Sequence, residues 1–282
     1  MKKRILLPTD FSKNSLNAIR YAIDLFAGVP CEFYLLNAFQ VPGYTLESMM
    51  VPEPGEPRFD DAKRDSDDGM LRLMEMIRLH GDNPRHSFQT LSVFNAVLTA
   101  IKAEVGRRDI DIIVMGTKGI TGSSKAIFGT QTVNVMEKIT QCPVLAVPDD
   151  FSFQPPKSIL FPTDYKANFK RKEMSCLLEI AEMFASSLHI LHIVKKVSLS
   201  KKQEEGMKLL MEILEPADYS LHMIEGKNVS KGITDFVTDN LCDMIAFLNK
   251  KHLFFGSILS NPLVKEIGYY PSVPVLVLND NA

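Results

Sequence analysis

The sequence predicts an α/β chain of two tandem domains, each an open five-stranded parallel sheet with helices on both faces. Three observations predict it. Short apolar runs alternate with stretches of helical periodicity, the order that builds parallel strands covered by helices. The opening RILLPTDFS returns as SILFPTDYK, so that Ile5, Pro8, Thr9 and Asp10 correspond at a constant offset to Ile159, Pro162, Thr163 and Asp164. The ends of the two copies also correspond: DIIVMG from Asp111 matches DMIAFL from Asp243, and CPVLAVPDD from Cys142 matches VPVLVLND from Val273. The boundary is placed in Asp149 to Lys157, where the Pro155-Pro156 pair interrupts the apolar pattern, giving domains over 1–150 and 151–282 joined by a short linker.

In the first copy, Arg4 to Pro8 is a strand. Ser12 is placed to cap a helix with Leu16, Ile19, Ile23 and Phe26 on one face, closed by Gly28. Cys31 to Phe39 is the second strand, and a charged helix follows around Asp60 to His80 with Met70, Leu73, Met74 and Ile77 inward. Between them, Val41 to Arg58 is rich in Pro and Gly and carries Met49 and Met50, which suits a flap over a ligand or a plain surface insertion. Ser87 to Val93 is a third strand, and Asn95 can cap a helix striped by Val97, Ile101 and Val105. Asp111 to Met115 and Val144 to Val147 complete the sheet. The final strands, CPVLAVP and VPVLVLND, are apolar runs that would otherwise be open edges, so they are expected to pair within the chain.

Chemistry concentrates after the fourth strand. Gly116, Gly119 and the Gly129-Thr130 pair follow the apolar DIIVM in the pattern G-x2-G-x9-G-T. Glycines there let backbone N–H groups approach an anion, and a following helix N-terminus adds partial positive charge. A Walker-type loop counted from Gly119 fails, because Ser124, Lys125 and Ala126 stand where Gly, Lys and Ser or Thr are required, and no GxGxxG follows a candidate first strand. The pattern resembles the nucleotide-binding signature of the universal stress protein family in its tandem form. The resemblance implies a Rossmann-like, adenine nucleotide alpha hydrolase-like fold and ATP, with or without Mg, as ligand. It carries Pro8, Thr9, Asp10, Ala38, Gly116, Lys118, Gly119, Gly129 and Thr130 into the site: the first-strand Asp and its backbone toward adenine, Ala38 by main chain only, the glycines and Thr130 toward ribose and phosphates. Thr117 joins the candidates on its own chemistry, as a loop hydroxyl that can reach phosphate or a metal-bound water. Read from its own position, Asp10 can equally belong to the cap of the next helix, and Thr117 and Lys118 can be ordinary loop residues.

The second copy loses this cradle. Leu248 and Lys251 take the places of Gly116 and Gly119, and Ser260 and Asn261 those of Gly129 and Thr130, so it is read as a degenerate, nucleotide-free domain. The leading function is a nucleotide-dependent stress or signalling module with adenine nucleotide in the first domain. Neither a catalytic constellation nor a metal set is assigned; a slow ATPase or phosphotransferase, and a nucleotide-free scaffold, are the alternatives, separable by ATP turnover and by nucleotide extracted from purified protein.

Composition narrows the partners. A formal net charge of −2 argues against nucleic acid or a membrane surface. No apolar run nears the ~20 residues that span a bilayer, and no signal-peptide core follows the basic start, so the cytoplasm is expected. A homodimer is left open. The four cysteines, Cys31, Cys142, Cys176 and Cys242, form no CxxC and are expected as small buried hydrophobes. His189 and His192 lie an odd number of residues apart in a strand, hence on opposite faces, which argues against a shared metal ion.

Overall fold

The computed structural model describes residues 2–41, 54–117, 129–194, 199–226, 228–249 and 273–279. In the first half, strand β1 (Lys3–Pro8) leads to helix α1 (Lys13–Leu25), β2 (Cys31–Phe39), α2 (Pro57–His80), β3 (His86–Phe94), α3 (Val97–Arg108), β4 (Ile112–Gly116), α4 (Thr130–Lys138) and β5 (Val144–Val147). The second half runs β6 (Ser158–Pro162), α5 (Arg171–Phe184), β7 (Ser187–Val194), α6 (Lys201–Leu214), β8 (Asp218–Glu225), α7 (Val229–Asp239), β9 (Met244–Asn249) and β10 (Val275–Asn279).

The ten strands among the described residues form one sheet in the order β3-β2-β1-β4-β5-β10-β9-β6-β7-β8. Neighbours are parallel except at the centre, where β10 pairs antiparallel with β5, with Val275 opposite Ala146, Leu276 opposite Leu145 and Val277 opposite Val144. The sheet is therefore mixed and mostly parallel, and β5 and β10 are paired rather than open. Strands within one half point one way and those of the other half point back. The central strands read as unbroken apolar runs because helices cover both faces. Ile5, Leu6 and Leu7 are all fully buried, each worth about 1.5–3 kcal/mol relative to exposure.

The core lies in two layers that cross the middle of the sheet. One is built under α1, α2, α5 and α6, the other under α3, α4 and α7, and each holds side chains of both halves. The linker belongs to the first layer. Asn17 Nδ2 of α1 donates to the carbonyls of Pro148 and Phe151 at 3.0 and 3.1 Å. Tyr21 packs on Phe151 and Phe153, and Phe153 continues to Phe184 of α5. Lys3 Nζ reaches Glu179 Oε2 of α5 at 2.7 Å. Burial alone would lower the Lys3 pKa, and the hydrogen bond and charge of Glu179 turn the net shift upward.

Two local readings need correction. Helix α1 is capped by Ser12, whose side chain accepts from Ser15 N, but it ends at Phe26 rather than at Gly28. Asn95 does not cap α3: the N-cap is Ala96, and Asn95 Oδ1 accepts from the adjacent Ala96 N at 2.8 Å. The four cysteines are buried and unbridged. Burial pushes the thiols of Cys31, Cys142 and Cys176 up to about 12, so they remain protonated at neutral pH. Among the described residues no helix is long and apolar enough to cross a membrane.

Two glycines meet opposite constraints. A Cβ on Gly206 in α6 would stand 2.0 Å from the Tyr165 carbonyl oxygen, which is backbone and cannot yield, whereas Gly106 in α3 has open space around that position. Gly206→Ala should destabilise the protein by about 1–3 kcal/mol. Gly106→Ala should stabilise it by roughly 0.5–1 kcal/mol through helix propensity. Urea unfolding of both variants checks the two signs.

Candidate functional site

The chain leaves β1 for β2 on one side of the sheet and reaches β4 on the other, so strand order reverses between β1 and β4. At such a point the helices after the two strands pass to opposite faces and leave a crevice beyond the strands' carboxyl ends. Thr9 and Asp10 follow β1 into it, and Gly116 and Thr117 come from the end of β4.

After β1 the backbone folds back on itself. Phe11 N donates to Thr9 Oγ1 at 3.0 Å and Ser12 N to Asp10 Oδ1 at 3.1 Å, which holds Phe11 in the left-handed region at φ 63°. The Thr9 hydroxyl also meets Ser15 Oγ at 3.0 Å in the first turn of α1. Thr9 N donates to the Leu36 carbonyl at 2.8 Å, and its own carbonyl accepts from Asn37 Nδ2 at 2.8 Å. Asn37 is buried, and its Oδ1 accepts from Ser66 Oγ of α2 at 2.7 Å. Asn37 thus ties the end of β1, its own strand β2 and α2 together under the crevice. Sequence reasoning missed it, since a lone Asn inside an apolar strand has no local partner to announce it.

The β4 side is tied as firmly. Thr117 is buried: its N donates to the Val147 carbonyl at 3.0 Å, and its hydroxyl to Asp149 Oδ1 at 3.1 Å. Its carbonyl accepts from Gly129 N at 2.6 Å, which pins together the two ends of the glycine-rich segment. Thr132 Oγ1 adds a bond to the Gly116 carbonyl at 2.9 Å. A Cβ on Gly116 would lie 2.7 Å from the Asn14 amide, so this glycine first of all lets α1 start against β4. Gly129 is the N-cap of α4 and has no side chain to fill the N-terminus, and the first turn of α4 carries no acid.

These contacts sort the candidate residues. Pro8, Thr9, Gly116 and Thr117 are buried framework, while Asp10, Ala38 and Gly129 are partly exposed and Thr130 is exposed. Lys118 and Gly119 lie outside the described residues, as does most of the flap segment, 42–53. The crevice can present the N-terminus of α4, which has no side-chain cap from Gly129, to an anion at one end and a half-exposed acid and main chain at the other. Among the described residues no group of three or more His, Cys, Asp or Glu side chains could hold a metal ion.

The second half builds the same turn. Tyr165 N donates to Thr163 Oγ1 and Lys166 N to Asp164 Oδ1, with Tyr165 at φ 57°. Register places His192 where Asn37 stands, and its Nδ1 donates to the Thr163 carbonyl at 2.7 Å. The clamp is less complete, because among the described residues the buried His192 Nε2 has no hydrogen-bond partner. On the β9 side Leu248 and Asn249 end the strand where the first half has Gly116 and Thr117, and positions 251, 260 and 261 lie outside the described residues.

A family model described as the universal stress protein family matches residues 1–148. A universal stress protein of Methanocaldococcus jannaschii is 26% identical over 154 residues, covering 51% of this chain and 81% of that protein. The crystal structure of a universal stress protein from Archaeoglobus fulgidus shares the fold with a TM-score of 0.66 at 17% identity, covering 98% of this chain and 96% of that one. A functionally unknown protein from Pseudomonas aeruginosa PAO1 has a TM-score of 0.61 at 17% identity, covering 99% of this chain and 93% of that one.

The Asn37 clamp makes a stability prediction. Asn37→Ala strands the Thr9 carbonyl and the Ser66 hydroxyl in a buried place and should cost about 1–3 kcal/mol. Ser66→Ala should cost less, since Asn37 keeps its bond to Thr9. Chemical denaturation of the two variants checks the order.

Proposed function

The chain belongs to the universal stress protein family, and from that premise we propose that it is an ATP-binding module whose nucleotide sits in the first half, at the crevice between β1 and β4. The single observation that supports this most is the coincidence of a strand-order reversal with a glycine-capped, acid-free helix N-terminus at α4. The residues present fit the ligand. Asp10 and the main chain at Ala38 would take the adenine end, and the segment from Gly116 through Lys118 and Gly119 to Gly129 and Thr130 would wrap ribose and phosphates, with Mg arriving on the phosphates.

On this reading the chain is two family domains, 1–150 and 151–282, joined through β5 and β10, with the second kept for packing and contact rather than for nucleotide. The module acts in the cytoplasm as a stress or signalling component. It binds rather than turns over: the described crevice residues are engaged in holding the backbone, and none is placed as a base toward a phosphate. ATP turnover at saturating nucleotide separates this from a slow ATPase.

Calorimetry with ATP tests the assignment. Gly129→Val puts a branched side chain at the N-cap of α4 and should weaken binding by about tenfold or more, a difference of some 1.4 kcal/mol, with circular dichroism unchanged. Leu248→Val in the second half should leave affinity as it is. Equal affinity in wild type and in Gly129→Val would place the nucleotide elsewhere or nowhere.

A further inference from the structure

A second polar cluster lies away from the crevice, on β7 and the edge strand β8. His189 Nδ1 stands 3.2 Å from His222 Nε2, and Ser220 Oγ is 3.1 Å from the first and 2.7 Å from the second. Three polar atoms of three side chains therefore stand within 3.2 Å of one another. Phe236 of α7 forms a wall behind both imidazoles, with ring centroids 4.8 Å from His222 and 5.8 Å from His189. All three side chains are partly exposed, and among the described residues β8 is the last strand at this edge of the sheet.

The distances suit a metal ion. Two imidazole nitrogens bound tetrahedrally to zinc at about 2.0–2.1 Å stand about 3.3–3.4 Å from each other. Imidazole must be uncharged to ligate, and both histidines are held below the ordinary histidine value. For His189 the causes are burial and then the neighbouring His222; for His222 the cause is burial.

The first half supplies an internal control. Tyr34 pairs with Gln89 as His189 pairs with Ser220, and Leu91 stands opposite Leu36 as His222 stands opposite Leu191. There the same corner is closed by packing, with the Arg108 guanidinium 4.6 Å from the centre of the Tyr34 ring. The fold does not need converging donors at this corner, yet the second half has two imidazoles and a hydroxyl there.

The geometry points to a divalent transition-metal site of the zinc class at His189 and His222, with Ser220 as a third, weaker donor and water in the open position. It is independent of nucleotide binding in the first half. Without the ion, the same atoms close on one another as a hydrogen-bonded set through the Ser220 hydroxyl.

Zinc titrated into the metal-free full chain at pH 7.5, followed by calorimetry, tests the site. Wild type should show one saturable site. His189→Tyr and His222→Leu, which restore the residues of the first half and so suit the fold, should each weaken it by at least about tenfold. Ser220→Ala should cause a smaller loss. A readout on wild type alone guards against a misfolded variant: zinc should shield His189 and His222 from diethyl pyrocarbonate while His80 goes on reacting. Absence of saturable binding, unchanged affinity in the variants, or equal modification of both imidazoles with and without zinc would each overturn the assignment.

Discussion

The antiparallel ladder between β5 and β10 is the contact on which the rest of the molecule depends. Each half alone would end in a short apolar strand, Val144–Val147 or Val275–Asn279, with its outer edge unpaired and its faces only partly covered. Joined, these strands become the middle of a sheet and are completely or almost completely buried. The join also makes the two core layers continuous. Around it sit contacts that neither half could make alone: the Lys3–Glu179 pair, the Asn249 amide on the Met136 carbonyl, and the Asn279 amide on the Cys142 carbonyl at 2.7 Å. Leaving the buried Asn279 amide without the Cys142 carbonyl would cost about 1–3 kcal/mol, so the seam discriminates against slipped registers as well as holding the halves together.

Architecture and chemistry separate when the halves are set side by side. The Thr-Asp turn is kept in both, down to the left-handed residue that follows, although a non-glycine residue in that region costs about 1–2 kcal/mol. It is offset by the same pair of side chain to backbone bonds in each case. The turn is thus a device for starting a helix at the right angle to the sheet, and it persists where the glycines after the fourth strand do not. What differs is the floor beneath it. Asn37 donates and accepts with one amide, while His192 offers a donor to the Thr163 carbonyl and finds no partner for its second nitrogen among the described residues.

Strands, helices and their order along the chain were legible because each is written in local periodicity. Ser12 as a cap and the burial of the cysteines were legible for the same reason. The exact helix ends at Phe26 and Ala96 were not, since Gly28 and Asn95 are residues that usually punctuate but here lost to neighbouring backbone geometry. Of the candidate site, the turn and the glycines are short motifs that stand out, whereas Asn37 acquires its role only when α2 brings Ser66 within 2.7 Å. The histidines show the limit most plainly. Scanned along the chain, His189 has His192 as neighbour; the one it meets is His222, from a strand whose register no local signal fixes.

The opposed direction of the two halves has a consequence for occupancy. Carboxyl ends of β1 and β4 open at one rim of the sheet, and those of β6 and β9 at the other. A small molecule lodged at the first rim cannot touch the second, and a protein gripping the second does not compete with it for space. The two rims are joined through the shared ladder, the two core layers that cross it and the polar contacts around it. The opposed halves thus place their two Thr-Asp turns, after β1 and after β6, at opposite rims of one continuous sheet.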